Sequence, residues 1–281
     1  MSHQAEALSK PISGVGKTDR GLIHAKWKER WNRMIIGAIL PVTIVVAWQL
    51  LGDLGLISTF FLPTPLMIAE AFRTLAVTGE LTEHLAISLG RAATGFAIGG
   101  SIGLLLGIIT GLSRNAENVL DPSMQMFRMI PHLAIAPLVI LWFGFGETSK
   151  ILIIAKGALF PLYVNTLLGI RSVDNKMFDV AHVLEFSRFK QIVRLILPAS
   201  LPHILLGLRL SLAISWLSLV VAELIGSQSG VGFLINFGKQ TSSTELIFVG
   251  IIIFAIVGKL VDSFVRLLER SLLQWRDSFQ G

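Results

Sequence analysis

Cysteine is absent from all 281 residues, which excludes disulfides and thiolate metal sites and leaves the redox compartment open. Charge is scarce too: Asp, Glu, Lys and Arg make up 15% of the chain against 53% hydrophobic residues. One water-soluble core cannot hide so much apolar side chain, so the bilayer is the expected solvent, in line with a mean hydropathy of +0.70. The six histidines, His3, His24, His84, His132, His182 and His203, form no ligand-spaced motif, and no metal site is expected. No convergent nucleophile and base stand out either, which argues against a membrane-embedded enzyme. Gly14-Val15-Gly16-Lys17-Thr18 resembles a phosphate-binding loop, but Pro11 stands where its first glycine is required and no strand precedes it. The chain is therefore expected to carry no cofactor of its own.

What is present is a set of long apolar runs. Segments 34–51, 86–111, 119–142, 149–170, 200–223 and 246–265 are apolar and long enough to cross a bilayer, since a spanning helix needs about 20 residues. The first follows a basic tail but shows no small-residue cleavage pattern, so it is read as an uncleaved span. The expected architecture is an all-α polytopic membrane protein with six transmembrane helices. A flexible basic tail covers 1–33, the membrane domain 34–270 and a second tail 271–281. With the first tail inside, sixteen Lys and Arg residues fall in inside segments and only Arg73, Lys150 and Lys239 outside. That bias places both tails and the 174–197 segment in the cytoplasm. The net charge of +6 is then topogenic, and nucleic acid is not an expected partner.

Individual spans carry finer signals. Thr64 and Pro65 suit the start of a short outer helix that is too charged to cross. Gly95, Gly99, Gly103, Gly107 and Gly111 recur at every fourth position, a ridge against which another helix backbone can pack closely. Pro131 and Pro137 predict a kink or local unwinding near His132. Broken helices survive in a bilayer only where protein or a water-filled path satisfies the freed carbonyls. Arg128, Pro131 and His132 are thus candidates for a translocation path, and so is Arg209, whose mid-span position snorkelling does not explain. Arg91, Lys156, Glu223, Lys259 and Asp262 are the other ionisable groups in or near spans, and Asp262 can pair with Arg266 four residues on.

The stretch 179–198, DVAHVLEFSRFKQIVRLILP, interrupts the apolar runs. Met177, Val180, Ala181 and Leu184 fall at i, i+3, i+4 and i+7, and Phe189, Ile192, Val193 and Ile196 repeat the pattern after Ser187, a good N-cap. Two short amphipathic helices ended by Pro198 are expected at the cytoplasmic surface.

Those residues also carry a family resemblance. Permease subunits of binding-protein-dependent ABC importers have a loop of pattern E-A-A, three residues, G, nine residues, I-x-L-P. Asp179-Val180-Ala181, Glu185, Leu195 and Leu197-Pro198 follow that spacing, with Glu185 in place of the glycine. LPTP at 62–65, SLGRAATGF at 88–96, IPHLAIAPLVILWFGFGE at 130–147, FPLYVNTLLGIRSVD at 160–174 and GLRLSLAISWLSLVVAEL at 207–224 resemble the sulfonate, taurine and nitrate branch, most of all aliphatic sulfonate permeases. The resemblance implies a type I importer permease fold in a bacterial cytoplasmic (inner) membrane. It implies a homodimer, two cytoplasmic ABC ATPases that hold ATP and Mg, and an extracytoplasmic substrate-binding protein. Asp179, Val180, Ala181, Leu184, Glu185, Arg188, Leu197 and Pro198 would then couple to the ATPase through coupling helices at 174–197. The cargo would be a small organic anion, with taurine or nitrate as alternatives to aliphatic sulfonates. A secondary transporter or channel could use the broken span but would need no ATPase-docking loop.

Overall fold

The computed structural model describes residues 37–273, with the backbone alone at His132 and Asn175. The tail at 1–33 and residues 274–281 of the second tail lie outside the described residues. All regular structure among the described residues is helical. The chain forms two compact units, Met1–Leu66 and Met67–Gly281.

In the first unit, α1 (Gly37–Asp53) is the described part of the first expected span, and residues 34–36 fall outside it. Its end is tied by Gln49, whose amide donates to Asp53 (2.9 Å) and whose carbonyl accepts the Leu66 N–H (3.0 Å). α2 (Pro65–Thr78) starts at the proline, as the Thr64-Pro65 pair predicts.

The second unit is built from long apolar helices. α3 (Glu80–Leu112) opens with Glu80 and Glu83, which favour a helix N-terminus. It is followed by α4 (Arg114–Arg128), α5 (His132–Phe143) and α6 (Glu147–Arg171). Then come α7 (Asn175–Val183), α8 (Arg188–Gln191), a π-turn at Ile192–Ile196, α9 (Leu197–Gly226), α10 (Val231–Thr241) and α11 (Thr244–Leu272). Among the described residues, four helices are long and apolar enough to cross a membrane: α3, α6, the continuous Arg188–Gly226 helix and α11. A fifth span results if α4 and α5 count together. The described residues thus account for four or five of the six expected spans: α1 is 17 residues long as described, and the expected third span, 119–142, is not one helix. α4 and α5 meet at 100°, because Pro131 cannot donate to the preceding turn and disfavours helix at Ile130.

Helix association in lipid lacks a hydrophobic drive and rests on close packing. α3 and α6 show how. All five ridge glycines are buried against α6, and a Cβ on Gly99 or Gly103 would fall on the carbonyl of Ala155 or Leu159. α6 repeats the device toward α9, where Gly157 meets Ser218 and Gly169 meets His203. Ser211 donates across to the Ala158 carbonyl (2.5 Å), and Trp216 on α9 donates to Phe254 on α11 (2.9 Å). α4 has no buried residue but is tied to α6 by Tyr163 donating to Asp121 (2.8 Å) and by the Arg171–Glu117 ion pair.

Candidate functional site

The break between α4 and α5 leaves carbonyls without intrahelical partners. One of them, Ile130, accepts a hydrogen bond from the Lys156 ammonium (2.6 Å), which also lies 5.8 Å from the centre of the Phe160 ring. Lys156 thus stitches the bend to the middle of α6. Beside it, Arg128, Phe160, Asn165, Leu210 and Ile214 line a cavity of about 350 Å³ between α6 and α9. Arg128 is exposed and has no acidic partner among the described residues. Pro131 is the residue before α5, and the side chain of His132 lies outside what is described.

Arg209 differs. Its Nε donates to Asp262 on α11 (2.7 Å), and Asp262 also takes Arg266 (2.9 Å). The mid-span charge is neutralised across two helices, in a smaller cavity of about 240 Å³.

A second cluster joins residues seen only singly in the sequence. At the end of the unit where α3 and α6 begin and α9 finishes, Arg91 is 4% exposed and Glu223 not at all. Arg91 grips both oxygens of Glu147 (2.6 Å each) and reaches Glu223 (2.8 Å), the Ser227 hydroxyl (3.0 Å), and the Ser229 carbonyl (2.7 Å) and hydroxyl (3.0 Å). Glu223 further accepts from Ser88 (2.7 Å) and from the Gly232 N–H (2.8 Å), while Lys150 pairs with Glu147 (3.0 Å). Two cations and two carboxylates balance, and the hydrogen bonds replace lost hydration, which a buried ion pair requires. Gly230, at φ 103, lets the backbone pass directly over this pair where a side chain would collide with Glu223. Sequence distance hides the cluster: Arg91 and Glu223 are 132 residues apart. Only their charge at span depth marked either one.

At the other end lies the 175–198 element. Asp174 caps α7 and Ser187 caps α8, each accepting a backbone N–H. Between them, Glu185 sits at φ 49, with its N–H donating to His182 and the Phe186 N–H to Ala181. This pair of bonds is a Schellman turn, in which the left-handed residue is usually glycine. The family's glycine position is thus the strained one, and glutamate occupies it here. Pro198 does not end the second helix. The Leu197 N–H reaches back to Ile192, and the widened turn at Ile192–Ile196 lets α8 run through Leu197 and Pro198 into α9 without a clash. The apolar face is divided. Ala181 is 1% exposed, covered by the chain itself, whereas Val180, Leu184, Val183 (83%) and Phe189 (74%) stand in the open. Asp179 and Arg188 are exposed beside them.

Residues 99–274 match the family described as binding-protein-dependent transport system inner membrane component. A Bacillus subtilis protein named an aliphatic sulfonates transport permease protein, SsuC, is 59% identical over 94% of this chain and 96% of its own length. Its Escherichia coli namesake is 46% identical over 89% of this chain and 95% of its own. The E. coli taurine transport system permease protein TauC is 35% identical over 91% of this chain and 95% of its own. Among solved structures, an amino acid ABC transporter with histidines superposes with a TM-score of 0.60 at 17% identity, covering 71% of this chain and 97% of that one. That likeness concerns the fold. The helical fold, the broken span, the spacing at 179–198 and these similarities converge: the chain belongs to the binding-protein-dependent transport system inner membrane components and is a permease subunit of an ABC importer.

Proposed function

We propose that this permease imports aliphatic sulfonates across a bacterial cytoplasmic membrane as a homodimer. Its similarity to SsuC along nearly its whole length carries the reading. An extracytoplasmic binding protein delivers the anion, and two ABC ATPases with bound ATP and Mg draw together and reset to drive the cycle. The chain hydrolyses nothing itself. Asp179, Val180, Ala181, Leu184, Glu185, Arg188, Leu197 and Pro198 form the coupling element, with the open side chains of Val180 and Leu184 supporting contact with the ATPase. Ala181 acts from inside the element, where the chain itself covers it. The lysine and arginine bias supports cytoplasmic tails. Arg128, Pro131, His132 and Arg209 belong to the region of the path. The two conformations exchange because each ligand binds one better than the other.

The test is uptake by the complex with ATPases and binding protein in liposomes. ATP-dependent accumulation of labelled ethanesulfonate, in preference to taurine, nitrate and bicarbonate, is expected. Accumulation of one of those three without ethanesulfonate contradicts the sulfonate reading.

A further inference from the structure

We infer that the cavity between α6 and α9 is a resting point for the organic anion inside the membrane, with Arg128 holding its charged head and Phe160, Leu210 and Ile214 its alkyl chain. The inference rests on the proposed cargo class and adds to it a place and a set of contacts.

Position comes first. Gly157 to Asn165 occupy the middle of α6, and Leu210 and Ile214 the middle of α9, so the cavity lies at mid-height of two apolar helices. A cation at that depth faces a large desolvation cost unless something compensates it. The other cations around the α6–α9 packing are already engaged: Arg91 by Glu147 and Glu223, Arg209 by Asp262, and Lys156 by the Ile130 carbonyl. Arg128 has neither a carboxylate nor a carbonyl partner among the described residues, and no carboxylate lines its cavity.

Chemistry comes second. A guanidinium presents paired donors that match two oxygens of a sulfonate. Asn165 donates one amide proton to the Pro161 carbonyl (2.8 Å) and keeps a second for another oxygen. Lys156, bound two residues further along the chain from Arg128, adds positive potential without competing for the ligand. The remaining wall is apolar, which suits a short alkyl tail, and about 350 Å³ is within the range of small-molecule sites. An alkanesulfonate has this same division into one charged head and one apolar tail.

The experiment uses the liposome complex with Arg128→Gln and Leu210→Trp, measuring uptake of labelled methanesulfonate, ethanesulfonate and butanesulfonate. Arg128→Gln is expected to lower ethanesulfonate uptake about tenfold or more, the loss of one charge-assisted contact, while ATPase subunits co-purify and thermal unfolding stays unmoved. Arg128→Lys is expected to fall between the two. Leu210→Trp fills the tail wall, so butanesulfonate should lose more than methanesulfonate. Unaltered uptake in Arg128→Gln overturns the inference. Should that variant fail to assemble, Leu210→Trp decides: a changed butanesulfonate to methanesulfonate ratio supports the site and an unchanged ratio overturns it. If the unmodified complex carries another anion and no sulfonate, the cargo reading has failed. The same two variants measured with that anion then judge the site independently: reduced uptake in Arg128→Gln supports it and unaltered uptake overturns it.

Discussion

The continuous helix Arg188–Gly226 has two unlike ends. At one, Glu223 is sealed within a neutral cluster whose donors and acceptors all come from the same chain. At the other, the helix widens at Ile192–Ile196, follows a strained Glu185 turn and leaves Phe189, Val180 and Leu184 uncovered. The first end is complete without a partner. The second leaves apolar side chains grouped in the open, the feature by which interaction surfaces are marked. On the proposed coupling reading, one helix would link a fixed anchor to a docking element, which is the arrangement a lever needs.

Breaking the anchor should have the largest effect. Glu223→Leu leaves buried Arg91 short of a partner, and removing one member of a buried pair costs about 3–5 kcal/mol. A fall in the detergent melting temperature, larger than that of Glu147→Gln at the exposed side of the cluster, is the expected result. Equal shifts would mean that the cluster is not buried as described. Next comes the glycine seam. Gly103→Leu drives a side chain into the Leu159 backbone, where overpacking costs about 1–3 kcal/mol or more. Leu104→Ile, on the neighbouring position, nearly conserves volume. Similar folded yields of the two would contradict close packing of α3 on α6.

The smallest stability effect has the opposite sign. A left-handed backbone strains every residue but glycine, so Glu185→Gly should stabilise α7 by about 0.5–1 kcal/mol after glycine's extra unfolded freedom is counted. Slower hydrogen exchange of the Leu184, Glu185 and Phe186 amides would report it. Faster exchange would show that Glu185 makes a compensating interaction.

These contrasts also explain what could be read from the sequence. The glycine ridge was visible because its four-residue period is local, and Pro131 announced the break because a missing N–H acts on its own turn. The same rule misled at Pro198, where a π-turn absorbs the clash and the helix continues. The amphipathic period located the loop, yet it could not separate Ala181, which the chain covers, from Leu184, which it does not. The Arg91–Glu223 cluster and the Arg209–Asp262 pair escaped, because pairing between distant helices leaves no local pattern. The departure at Glu185 was plain in the spacing, but its left-handed backbone was not.

The central claim is that the open apolar side chains of the 175–198 element dock an ATPase. Leu184→Asp tests it most directly, with Ala181→Asp beside it. Because Leu184 is exposed in the permease, its substitution should leave membrane-domain melting unchanged while ATPase recovery in a pull-down and ATP-driven uptake both collapse. Ala181→Asp should instead disturb the element itself, lowering hydrogen-exchange protection across α7. Unmodified ATPase recovery and uptake in Leu184→Asp would contradict the account, for the element would then be a solvated surface and the drive would enter the permease elsewhere.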